Sequence, residues 1–374
     1  MACMATGNNF IAVTRDMCLS YYDFSVNKRL EVTSQIKSME TDYISDIAIS
    51  ADLKYLAITT SASKQLVMYS LPQLEILKKI VLPRSSSKIR FTVGNQQILV
   101  ADKSGDVLIY NTTNEDNGTK LLGHLSLLLD VLQTQDGRYI ITCDRDEKIR
   151  VSNYPNTYNI QTFCLGHNEF VNHIELLPHD DRYLTSTSGD GTIKCWDYIN
   201  GRLCYSIDSY LDINELQLKE QFCKLMDDEG IEVNALPIVH YTLCKLTDSS
   251  SLLAIAVYTY NALLMYSLHS VDGKFSHNLQ QKLKLECFPS AIKFDNSGLI
   301  VYYDNSSNIA IYNVTYSDAK ATLEFSKTVN VYENNNIATE GKENFDFIKV
   351  LYKRKFDNVQ EYQERKRQRL EKSS

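Results

Sequence analysis

Glycine is scarce in this 374-residue chain, with only 14 residues, and neither GxGxxG nor GxxxxGK followed by Ser or Thr occurs. Nucleotide-cofactor folds bring backbone close to phosphate with such loops. A Rossmann-type or phosphate-cradling site is therefore excluded, and no cofactor is expected. The nine cysteines are odd in number and form no CxxC, which argues against both a disulfide framework and a zinc site. The seven histidines show no HxxxH and no clustering with cysteine, so no metal is expected. Long apolar runs are missing too. A stretch such as 252–257 is far short of the roughly 20 residues a membrane span needs, and no membrane partner is expected. The beginning, MACMATGNNFIAVT, lacks a basic region followed by an apolar block, so a signal peptide is not expected. A reducing compartment follows, the nucleus or also the cytoplasm. The Asn-x-Ser/Thr matches at Asn111, Asn117, Asn305 and Asn313 then carry no glycosylation meaning.

What is present is a repeat. A short apolar alternation ending in an aromatic or polar pair begins at Leu19, Leu66, Val107, Ile149, Ile193, Leu263 and Ile309. The spacing is 41–47 residues, apart from one step of 70. Ahead of each lie two further strand-like segments, for example Asp46-Ile-Ala-Ile and then 55–59, or Asp130-Val-Leu-Gln and then 139–142. Period-2 alternation punctuated by Asp, Asn, Gly and Ser every 8–12 residues denotes antiparallel strands. Four short strands per unit make a propeller blade, and seven blades close a ring. The fold class expected is all-β, a seven-bladed β-propeller over residues 1–352.

The clearest unit, residues 166–198, resembles the WD-repeat consensus: Gly166-His167 opens it, Ser188-Gly189-Asp190-Gly191 turns it and Trp196-Asp197 ends it. In such repeats His167, Ser186 or Ser188, Asp190 and Trp196 would form a buried hydrogen-bond chain that satisfies polar groups between strands. Gly123-His124 and Asp146 echo the pattern one unit earlier, with Ser152 in place of the tryptophan. The N-terminal unit, 10–24, offers two strands, so segments 321–325 and 345–350 are expected to complete the ring.

Two segments stand outside the repeat. Residues 206–236 carry eight acidic residues and two lysines, and Asp212-Ile-Asn-Glu215 matches a capping box. An amphipathic helix is expected there, either covering its own apolar patch or docking a partner. Residues 353–374 hold a net +4 against −11 for the rest. A basic tail on an acidic body suits contact with phosphate or nuclear entry, the alternative being simple solvation. Its eight cations include Lys353, Arg354, Lys355, Arg365, Lys366, Arg367 and Arg369.

No set of residues amounts to an active site. The charged turn Cys143-Asp-Arg-Asp-Glu-Lys-Ile-Arg-Val-Ser152 and the loop 166–171 should emerge on one face of neighbouring blades. Arg145, Asp146, Glu147, Asn168, Glu169 and His173 would then form a mixed-charge patch around Phe170, a composition suited to protein recognition.

The segments CDRDEKIRVSNYP, FCLGHNEFV and SGDGTIKCWDYINGR, all within 143–202, resemble the non-catalytic WD-repeat subunit of the tRNA (guanine-N(7)-)-methyltransferase. The tail segments Leu351-Tyr352 and Phe356-Asp357-Asn358-Val359 resemble that family as well. The resemblance implies a heterodimer in which this chain performs no chemistry and binds no S-adenosylmethionine. It would hold in active shape a catalytic subunit that methylates guanine in the variable loop of tRNA. It also implies a contact surface at Arg145, Glu147, Lys148, His167, Glu169 and His173, where relatives tend to place a basic residue at or near position 173. A generic WD scaffold, for instance a ubiquitin-ligase adaptor, would share the fold but not the 144–155 block.

Overall fold

The alternating segments fold as seven four-stranded antiparallel sheets in a computed structural model describing residues 2–25, 28–33, 42–114, 117–295, 298–317, 320–332 and 342–353. Each sheet takes four consecutive strands, so blades 1 to 7 are residues 4–33, 44–81, 86–123, 128–164, 171–208, 238–284 and 291–330. First strands line a central cavity of about 1000 Å³. Second strands are sandwiched between neighbouring blades, and Tyr183–Ser188 and Ser250–Val257 are buried along their whole length. Outermost strands such as Ile76–Val81 face solvent.

Apolar packing between blades is reinforced by a recurring polar device. A first-strand side chain accepts the backbone N–H of the next blade's first strand. Asp46 Oδ2 takes Ile89 N–H at 2.7 Å, Asp130 Oδ2 takes Ile174 N–H at 3.1 Å, and Thr242 Oγ1 takes Phe294 N–H at 2.9 Å.

Ring closure differs from the sequence expectation. Blade 1 draws all four strands from the N-terminal region, Met4–Gly7, Phe10–Arg15, Cys18–Asp23 and Lys28–Thr33. The segment 321–325 lies inside Lys320–Asn330, the outer strand of blade 7. Segment 345–350 is not a strand but part of a helix, Lys342–Leu351. Blades 7 and 1 are instead joined by side chains. Arg15 Nε donates to Asp304 Oδ1 at 2.7 Å, and the Tyr332 hydroxyl donates to the Val13 carbonyl at 3.2 Å.

The insertion between blades 5 and 6 forms helices α1 (Tyr210–Ile213) and α2 (Leu216–Asp227), and Lys342–Leu351 is α3. Phe222 and Met226 of α2 are buried in one apolar cluster with Phe170 of blade 5 and with Ile348, Leu351 and Tyr352 at the C-terminal end. The capping box is not made. Glu215 is the N-cap of α2 without a side-chain bond, and the Asp212 carboxylate accepts the Tyr266 hydroxyl at 2.8 Å instead.

Candidate partner-binding face

The turn 145–148 of blade 4 and the loop 166–170 and turn 189–191 of blade 5 meet on one face, as their spacing in the repeat predicted. Asn168 N–H reaches Asp190 Oδ2 at 2.9 Å, and Lys353, arriving from α3, reaches Glu147 at 2.7 Å. Lys148 is exposed, and Arg145, Asp146, Glu147 and Glu169 are half-buried. Arg145 Nε has no hydrogen-bond partner among the described residues and lies 4.0 Å from Asp146 Oδ1.

Three of the expected contact residues are elsewhere. His167 is buried, with Nδ1 3.0 Å from Asp190 Oδ2 and Nε2 2.8 Å from Ser186 Oγ, which also accepts Trp196 Nε1–H at 2.8 Å. Indole N–H can only donate, so the Ser186 proton goes to Nε2 and the imidazole gives its Nδ1 proton to Asp190. Every polar group is satisfied with a neutral ring, in keeping with burial lowering the His167 pKa. This is the buried chain read from the sequence, with Ser186 as its serine. The echo in blade 4 uses Asp144, not Asp146: His124 Nδ1 lies 2.8 Å from Asp144 Oδ2 and Nε2 lies 2.8 Å from Thr142 Oγ1.

Phe170 is not an exposed anchor. It is 2% exposed, and its ring meets Tyr352 edge-on at 4.9 Å. A Cβ on Gly189 would stand 2.4 Å from the Phe170 ring, so glycine there makes room for the aromatic. His173 is also removed from the face. It sits on the strand Val171–Leu176 and lines the channel, 3.5 Å from Asp130 and beside the Tyr241 ring. Burial, only partly offset by Asp130, lowers its pKa to about 4.

The end of α3 was missed as a component of this face. The Tyr352 hydroxyl donates to the Gly189 carbonyl at 3.0 Å, and Lys353 Nζ stands 2.7 Å from Glu147 and 3.7 Å from Asp146. Lys353, expected beside RNA, is held by carboxylates of the chain itself. Arg354, Lys355, Arg365, Lys366, Arg367 and Arg369 lie outside the described residues.

Burial, then the neighbouring Glu147 and Asp190, raise the Glu169 pKa to about 7, with Lys353 opposing. A carboxyl whose folded pKa is raised favours folding while protonated, and that contribution fades as pH rises from about 4.5 through 7. Glu169→Gln should therefore stabilise the chain by about 1 kcal/mol at pH 8, the full shift being reduced by solvent. Its melting curve should converge with that of the parent at pH 5. Equal differences at both pH values would refute the assignment.

Among the described residues no group of His, Cys, Asp and Glu could hold a metal ion, and no helix is long and apolar enough to cross a membrane. The chain is thus a seven-bladed β-propeller that presents a mixed-charge cluster where blades 4 and 5 meet. The fold is shared at low identity with solved structures. A chain of the mitotic checkpoint complex superimposes with a TM-score of 0.63 at 11% identity, covering 87% of this chain and 85% of that one. The RRP9 WD40 repeats give 0.62 at 17% identity, covering 80% and 86%.

The family model for the tRNA methyltransferase TRM82 WD40 domain matches residues 14–117 and 110–326. The tRNA (guanine-N(7)-)-methyltransferase non-catalytic subunit wuho of Culex quinquefasciatus is 34% identical over 352 residues, covering 90% of this chain and 78% of that protein. The Drosophila melanogaster wuho is 32% identical over 344 residues, covering 88% and 74%. The chain belongs to this TRM82 WD40 family, whose wuho members are named as non-catalytic subunits.

Proposed function

We propose that this chain is the scaffold subunit of a heterodimer with a tRNA (guanine-N(7)-)-methyltransferase catalytic subunit. It keeps that subunit in its active shape for N(7)-methylation of guanine in the tRNA variable loop. The observation that supports the reading is the match, along about 90% of the chain, to relatives named as non-catalytic subunits of that methyltransferase. The face formed by blades 4 and 5 supports it as the docking site. Arg145, Glu147, Lys148 and Glu169 present both charge signs there, and opposed charges select a partner and its orientation. The partner brings the methyl donor and the chemistry. RNA is met through the complex, with the basic tail beside the phosphate backbone, and the nucleus is the place of action.

Reconstitution tests this reading. The chain co-expressed with the cognate catalytic subunit should elute as a one-to-one complex that methylates tRNA, while the chain alone does neither chemistry nor S-adenosylmethionine binding. Failure to assemble would refute it. Removing residues 360–374 should leave assembly intact but weaken tRNA binding and flatten its salt dependence. Each phosphate that the tail no longer neutralises lowers the slope by a little under one unit. An unchanged slope over three salt concentrations would remove the tail from the RNA interface.

A further inference from the structure

In the turns joining the second and third strands of blades 3 and 5, the third residue after the strand is glycine with positive φ: Gly105 at 100° and Gly191 at 75°. Blade 4 places Glu147 at the equivalent position, at φ 69°. The turns of blades 3 and 4 share one hydrogen bond: Asp106 N–H donates to Asp102 Oδ1 at 2.9 Å and Lys148 N–H to Asp144 Oδ1 at 3.0 Å. A left-handed conformation costs a residue with a Cβ about 1–2 kcal/mol that glycine avoids. The corresponding turns of blades 1, 2, 6 and 7 also hold a non-glycine residue at positive φ (Asp16, Lys64, Thr259 and Ser307), so the conformation positions the side chain without marking a function by itself. Here the carboxylate is offered to a cation, and Lys353 from the chain's own C-terminal segment occupies it at 2.7 Å.

That segment is held in two unequal ways. Ile348, Leu351 and Tyr352 are 3–8% exposed within the shared apolar cluster, a firm anchor. Among the described residues, Lys353 is held by exposed ion pairs, to Glu147 at 2.7 Å and to Asp146 at 3.7 Å, with the Lys353 side chain 46% and that of Glu147 35% exposed. Exposed pairs of this kind contribute little and exchange easily. Lys353 also leaves the site short of positive charge, since Glu169 takes part in no salt bridge among the described residues.

We propose that Lys353 is a placeholder cation. A basic side chain of the docking catalytic subunit displaces it from Glu147 and Asp146, while α3 and Tyr352 stay seated. This rests on the docking face proposed above. Two consequences follow from one exchange: the carboxylates pass from an internal to an intermolecular partner, and the Lys353 side chain is released at the edge of the interface.

The test uses the full chain and its catalytic subunit. Lys353→Ala should tighten the complex about three- to fivefold in calorimetry, because no internal cation competes. Mass-spectrometric acetylation footprinting of the parent chain should show Lys353 reacting several-fold faster in the complex than alone. Weaker or unchanged binding of Lys353→Ala, or Lys353 protected in the complex, would overturn the exchange while leaving the docking face in place. Absence of binding by parent and variant alike would instead overturn the docking reading, and the exchange with it.

Discussion

Asp130→Ala is expected to destabilise the propeller by about 3 kcal/mol, the range seen when one partner of a buried charge pair is removed. Asp130 is fully buried in the first strand of blade 4. Its carboxylate accepts Arg90 Nε at 3.1 Å and Nη2 at 2.8 Å, and Arg90 Nη1 continues to Glu175 at 2.9 Å. Blades 3, 4 and 5 are thus tied through one guanidinium. Burial alone would raise the Asp130 pKa, but Arg90 first and His173 next bring it down to about 2. A depressed carboxyl favours folding above the unfolded pKa of about 4, and that contribution is lost as pH falls towards 2. The alanine variant loses the bond to the Ile174 N–H and leaves Arg90 with Glu175 and the Ile174 carbonyl. Chemical denaturation at pH 7 measures the loss, and the deficit should shrink as the parent is acidified. A variant as stable as the parent at pH 7 would mean that channel water replaces the carboxylate.

Asp130 also shows how much of this protein is legible in its sequence. The strand pattern is plain because each blade is buried on both faces, so apolar alternation and turn residues recur at blade spacing. Asp46 and Asp130 open equivalent segments, yet nothing in one strand announces that its aspartate serves the next blade. Ring closure was misread for two local reasons. The strand Met4–Gly7 has four residues, too few to show alternation. In 345–351, Phe345, Phe347, Ile348, Val350 and Leu351 satisfy both period 2 and helical spacing, and packing against the insertion selects the helix. The site was misread where one or two residues decide direction. Loop becomes strand after Phe170, which turns Phe170 inward and His173 into the channel. Asp144 and Asp146 lie two residues apart, and only the former reaches His124. Tyr352 and Lys353 meet the face across about 200 residues of chain, a distance that no periodicity conveys.

Reversing both carboxylates, Glu147→Lys with Glu169→Lys, is expected to weaken assembly with the catalytic subunit at least tenfold. Breaking one partner of a desolvated interfacial charge pair costs about 2–5 kcal/mol, and here two are replaced by like charges facing the incoming cation. The fold should tolerate the change. Neither side chain belongs to the His167–Ser186–Trp196 chain, and Glu169 is repelled by its neighbours in the parent. A Glu75→Lys reversal on exposed residue 75 of blade 2, outside this face, supplies a charge-matched control. Affinity by calorimetry, with melting curves for each variant, separates a weakened interface from a weakened fold. The pairing with Lys353 makes the outcome directional: Glu147→Lys loosens the complex, whereas Lys353→Ala tightens it, although both abolish the same internal ion pair. If the two variants moved affinity the same way, the ion pair itself would be what the interface needs, and Glu147 would serve to hold α3 rather than the partner. Unchanged affinity in the double reversal, with Glu75→Lys equally silent, would move the docking site off blades 4 and 5 altogether.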